Sequence, residues 1–92
     1  MGLAATVLRY QLEELDIQLS QHPFYQAADD TRRSVFIEIA FNQGYAGLMR
    51  YPQMLAAATA GNWQRAAEEC TVSDPRLKAR YAHLADLLRE GE

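Results

Sequence analysis

Apolar positions along this chain repeat with a helical period almost from end to end. Leu8, Leu12, Leu15 and Leu19 recur at i, i+4, i+7 and i+11, which places them on one helix face. Arg9, Glu13, Glu14 and Asp16 fall largely on the other side. The pattern predicts a helix from about Ala4 to Ser20, closed by Pro23, which cannot continue it. Phe24 to Ala28 leaves room for one short helical turn. Asp29-Asp30-Thr31 then supplies side-chain acceptors for the free N–H groups of a new helix start. From Arg32 to Gln43, the residues Val35, Phe36, Ile37, Ile39, Ala40 and Phe41 point in nearly all directions. A helix apolar all round is a buried, central one. The β-branched content would also suit a strand, but the preceding cap and Gly44 as a left-handed stop favour helix.

The remaining punctuation is regular. Gly44 and Gly47 bracket a tight connection, and Pro52 suits the first turn of a helix reaching Ala60. Gly61 ends that helix, and Asn62 caps the next, from Trp63 to about Glu69. Ser73 or Asp74 caps the last helix, with Pro75 in its first turn and Gly91 at its end. Its stripe of Leu77, Tyr81, Leu84 and Leu88 is amphipathic. There is no repeat, low-complexity tract or linker. The expected fold is therefore all-α: residues 1–92 form one compact multi-helix lobe around a buried central helix.

Composition narrows the function classes. A chain of 92 residues with 49% apolar and 23% charged residues has the profile of one small globular domain. A net charge of -3 argues against a general electrostatic grip on nucleic acid. The single cysteine, Cys70, cannot form an internal disulfide. Met1 to Leu8 is too short an apolar run for a signal peptide or a membrane span, so synthesis in the cytoplasm is expected. Met1-Gly2-Leu3-Ala4-Ala5-Thr6 fits the loose myristoylation pattern, and no anchor is assumed from it.

Candidate chemistry is sparse. Glu38 is the one carboxylate set within an apolar helix, where partial burial would suit a general acid. The competing expectation is that it pairs with Arg32 or Arg33, or emerges into a cleft. Glycoside hydrolysis usually needs a second carboxyl group about 5–9.5 Å away, and none has an evident place opposite Glu38. His22 and His83 lack partners at metal-ligand spacing, so no metal or cofactor is expected. Cys70 has no evident histidine partner and reads as a packed thiol. The five tyrosines are expected to pack their rings and leave their hydroxyls to water. The corner Asn42-Gln43-Gly44-Tyr45 is the most informative polar spot. Its amides offer both donors and acceptors, which suits N-acetyl groups.

The segment Thr31 to Glu69 resembles the C-terminal lobe of phage-type lysozymes, the muramidases of tailed phages and prophages. The residues that carry the resemblance are Arg33, Ala40-Phe41-Asn42, Gly44, Gly47-Leu48, Met54-Leu55, Gly61-Asn62-Trp63 and Ala66-Ala67. Residues 1–21 resemble the helix that joins the two lobes in that family. Arg80 through Arg89, with Gly91, resembles its closing arginine-bearing helix. The apolar pattern of the central helix gives Phe36, Ile37 and Phe41 structural roles, the resemblance adds Gly44, Trp63 and Arg80, and it implies a glycan-contact role for Asn42, with Gln43 and Tyr45 beside it. Two departures stand out. A Ser-Arg-Trp-like stretch before the family's last helix reads here as Cys70-Thr71-Val72-Ser73-Asp74-Pro75. The family's catalytic glutamate also belongs to an N-terminal lobe that does not precede Met1 in this sequence.

The expectation is a non-catalytic lysozyme-like lobe that contacts peptidoglycan glycan at most. It would be a degenerate muramidase or a fragment of an active endolysin. The alternative is a small helical interaction module that associates with a second copy of itself through an exposed apolar face.

Overall fold

A computed structural model of the protein describes residues 13–91. The predicted start of the first helix at Ala4, with Leu8, Arg9, Tyr10, Leu12 and the Met1–Thr6 pattern, lies outside the described residues. All regular structure among the described residues is helical. Helix α1 runs over residues 13–19 of the described chain. It is followed by α2 (Pro23–Gln26), α3 (Asp30–Leu48), α4 (Pro52–Thr59) and α5 (Trp63–Glu68), and a 3-10 turn (Pro75–Leu77) then leads into α6 (Lys78–Glu90). A radius of gyration of 13.0 Å is close to the about 12 Å expected of a folded chain this long.

Local chemistry sets most of these boundaries. Pro23, expected to close the first helix, also opens α2, where its missing N–H costs nothing. The Asp29 side chain accepts from the Arg32 backbone N–H at 2.8 Å, and Asn62 does the same for Arg65 at 3.2 Å. Of the two candidates before the last helix, Asp74 is the cap, accepting from the Arg76 N–H at 3.0 Å and opening the 3-10 turn that precedes α6. Gly91 ends α6 with a positive φ.

The core is apolar side chains from every helix. Leu19 of α1, Phe24 and Tyr25 of α2, Met54 of α4, Ala66 of α5, and Tyr81, Leu84 and Leu88 of α6 are buried with Val35, Phe36, Ile39 and Ala40 of α3. Phe24 meets Phe36 edge-on with ring centroids 5.0 Å apart, the geometry that aligns positive ring edge with negative face. Helix α5 packs against α4 and α6, α2 against α4, and α3 against α6.

Helix α3 departs from expectation in two ways. It is one-sided, not buried all round. Val35, Phe36, Ile39 and Ala40 form the buried face, whereas Ile37 is half-buried and Phe41 is 46% exposed. Ile37 and Phe41 are one turn apart on a row at the margin of the core, where Ile37 still packs against the buried cluster. At Gly44 the helical backbone is interrupted, as expected (φ 82°, ψ 164°), but a second helical stretch runs on across this kink to Leu48, so the link expected between Gly44 and Gly47 is helical. A positive φ of this size favours glycine, and a Cβ at Gly44 would meet nothing within 4 Å. Backbone conformation, not space, selects the residue.

Arg32 fastens the start of α3 to the end of α6. Its guanidinium donates to the Leu88 carbonyl at 2.7 Å and the Arg89 carbonyl at 3.3 Å, and pairs with Asp29 at 3.1 Å. It also lies 4.4 Å from the centre of the half-buried Trp63 ring, a cation–π contact. The last carbonyls of α6 are thereby satisfied by a cation, as the helix dipole favours.

Candidate functional site

The kink at Gly44 creates the corner that carries Asn42, Gln43 and Tyr45. The chain turns back so closely that a Cβ at Gly47 would lie 2.5 Å from the Gln43 Cβ. Gly47 thus makes room for Gln43, whose amide then reaches two other helices. Its Nε2 donates to Tyr81 Oη of α6 at 2.7 Å and to Tyr51 Oη, just before α4, at 3.0 Å. Tyr51 Oη in turn donates to the Thr71 carbonyl at 2.8 Å. Burial raises the Tyr81 hydroxyl pKa above the usual tyrosine range, and hydrogen bonds from Gln43 and, less strongly, Asn42 work against that rise.

Asn42 itself is exposed at the rim of this cluster. Tyr45 belongs to a different neighbourhood. Its hydroxyl lies 2.6 Å from His22 Nε2 in the α1–α2 turn, where the His22 ring also stacks obliquely on Phe24. The three glycan-contact candidates therefore divide: Asn42 and Gln43 share Tyr81, and Tyr45 does not join them.

Glu38 lies one turn before Asn42 on α3, and Arg80 immediately precedes Tyr81 on α6. The two side chains form a bidentate ion pair, with the carboxylate about three-quarters shielded and the guanidinium about half exposed. Hydrogen bonding to Glu38 raises the Arg80 pKa. Pairing with Arg32 or Arg33 is ruled out because both are engaged elsewhere. Arg33 donates to the Tyr25 carbonyl at 3.0 Å and sits 5.1 Å from the Tyr25 ring centre. Both Glu38 oxygens face a cation, and the pair holds α3 against α6 beside the amide–tyrosine cluster.

Tyr81 also lines a surface hollow of about 410 Å³ with Cys70, Thr71, Val72, Lys78 and Ala82. Burial pushes the Cys70 thiol up to about 11, so it stays protonated at neutral pH and is a poor nucleophile. No group of three or more His, Cys, Asp or Glu among the described residues could hold a metal ion. Nor is any helix there long and apolar enough to cross a membrane.

What the corner offers is amides and hydroxyls next to one ion pair, a surface suited to hydrogen-bonding a neutral polar ligand. No family model, curated protein or solved structure matches the chain. The site thus rests on its own geometry.

Two features of that geometry were not anticipated. The four tyrosine hydroxyls among the described residues have protein partners: Tyr25 donates to Asp16, Tyr45 meets His22, Tyr51 binds the Thr71 carbonyl and Tyr81 receives Gln43. Tyr81 is therefore both core ring and site hydroxyl. Its place in the apolar stripe of α6 signals the first role and gives no sign of the second.

Proposed function

We propose that this chain is a non-catalytic, lysozyme-like lobe whose Asn42–Gln43 corner contacts the N-acetyl sugars of peptidoglycan glycan. The observation that carries this reading is the Gly44 kink, which sets an exposed Asn42 amide beside a Gln43–Tyr81–Tyr51 cluster. An amide can accept from the N–H and donate to the C=O of an N-acetyl group, as glycan recognition requires. The resemblance of Ala40-Phe41-Asn42 and Gly44 to the phage-type lysozyme lobe points the same way.

The reading assigns no acid to the chain. Glycoside hydrolysis needs a proton donor on one side of the scissile bond and a carboxylate or activated water on the other. Glu38 is held by Arg80 on both oxygens, so these residues position a glycan and do not cleave it. An open wall excludes little water, so binding is weak.

The test is an NMR titration with N-acetylglucosamine oligomers, run beside a turbidity assay on purified cell walls. Shifts centred on Asn42, Gln43 and Tyr81 that disappear in Asn42→Ala, with no clearing of the walls, are expected. Absence of shifts would overturn the glycan assignment. Clearing that is lost in Glu38→Gln would overturn the non-catalytic reading and make Glu38 the acid.

A further inference from the structure

Away from the amide corner, the described part of α1 and the outer row of α3 leave an apolar strip uncovered. Ile17 is 65% exposed and Phe41 46%. Isolated exposed aliphatics are ordinary, but contiguous ones beside a groove mark a contact surface. Here they line a groove. One hollow of about 480 Å³ runs beside Glu13, Glu14, Ile17 and Gln18. A second, of about 410 Å³, continues from Glu14 and Gln18 over Leu15, Ala40 and Phe41 to Tyr45. The shared residues Glu14 and Gln18 are one turn apart on α1, so the two hollows form one trough along the helix.

The charge on this trough is one-sided. Glu13 and Glu14 form its acidic rim, and neither carboxylate has an ion-pair partner among the described residues. No Lys or Arg lines either hollow among the described residues. In a symmetric contact a second copy would present the same face, which among the described residues has no Lys or Arg to meet the acidic rim, in a chain whose net charge is already -3. Like charges brought together at an interface oppose association. The rim therefore favours a cationic occupant over a second copy.

We infer that the α1–α3 trough docks an amphipathic helix of another protein, with an apolar stripe flanked by Lys or Arg. The stripe, at i, i+3 or i+4 and i+7 spacing, covers Ile17 and Phe41, and the flanking cations face Glu13 and Glu14. The site is separate from the glycan corner and does not depend on its assignment.

The probes are two synthetic helical peptides with the same leucine stripe, one flanked by Lys and the other by Glu. Binding is read by NMR shifts and by fluorescence anisotropy of the labelled peptide. The Lys peptide is expected to bind at least about tenfold more tightly than the Glu peptide, with shifts at Ile17 and Phe41. The double variant Ile17→Ser with Phe41→Ser should lose that binding, with urea melts confirming that it folds. Reversing the rim with Glu13→Lys and Glu14→Lys should reverse the peptide preference. Equal binding of both peptides, unchanged preference after rim reversal, or shifts centred elsewhere would overturn the inference. So would a concentration-dependent dimer in sedimentation that Phe41→Ser abolishes, because it would give the trough to a second copy.

Discussion

Among the contacts that join helices α3 and α6, the ones at Arg32 and at Gln43 have opposite characters. At the start of α3, the Arg32 guanidinium is used up internally, on the Leu88 and Arg89 carbonyls, on Asp29 and on the Trp63 ring. Near the kink, the Gln43 amide also bridges to α6, through Tyr81, but Asn42 beside it stays open to solvent. The first junction closes a helix end, and the second leaves polar groups at the surface. Charge explains part of the difference. A largely shielded guanidinium must have its donors met, whereas an amide at a rim can exchange protein for water or ligand at little cost.

The largest effect expected on the closed side is in the core beneath it. Phe36→Ala removes a fully buried ring packed on Phe24 and should cost about 3–5 kcal/mol in urea melts. That is a large share of the roughly 5–10 kcal/mol typical of a small domain. Phe41→Ala, nearly half exposed, should cost far less. Equal losses would show that the row carrying Phe41 is covered after all.

Arg32→Leu comes next. It removes two charge-assisted bonds to carbonyls and leaves the end of α6 unsatisfied, so a loss of about 1.5–3 kcal/mol is expected. Trp63 fluorescence should shift with it, because the cation leaves the ring face. An unchanged spectrum and melting point would make the junction ornamental.

A third measurement uses pH to sharpen the contrast from the open side. The Cys70 thiol, beside Tyr81, is raised from an ordinary 9.0 to about 11 by burial. The folded state keeps this proton while the unfolded state loses it above pH 9. Stability from this group is therefore complete below pH 9 and declines as the pH climbs towards 11. Burial of Tyr25 and Tyr81 acts with the same sign, starting near their ordinary 10.0. Urea melts between pH 8 and 11 should show a steeper alkaline loss in the parent than in Cys70→Ala.

The smallest stability effect belongs to the corner itself. Gln43→Ala removes neutral hydrogen bonds at a partly exposed position and should cost about 1 kcal/mol. Because Gln43 lowers the Tyr81 pKa, ultraviolet titration of the variant should show Tyr81 ionising at higher pH than in the parent. No change in the Tyr81 titration would detach Gln43 from the cluster.

Element boundaries were readable in the sequence because their causes are local. A free N–H at a helix start lies within three residues of the side chain that meets it, as at Asp29 and Asn62. A positive φ selects glycine at one position, as at Gly44 and Gly91. The pairing of those elements could not be read in this way. Glu38 is 42 residues from Arg80, and Gln43 is 38 from Tyr81. Many polar side chains lie between, and helical periodicity ranks none of them as partner. The same limit explains the error over α3. Its apolar residues point in most directions, and only the placement of α6 and the other helices selects Val35, Phe36, Ile39 and Ala40 for the core. The sequence by itself therefore determined where the helices begin, bend and end, because backbone hydrogen bonding and φ are settled within a turn. Tertiary structure alone decided which face of α3 is buried and which carboxylate meets which guanidinium, because those outcomes depend on side chains that only packing brings together.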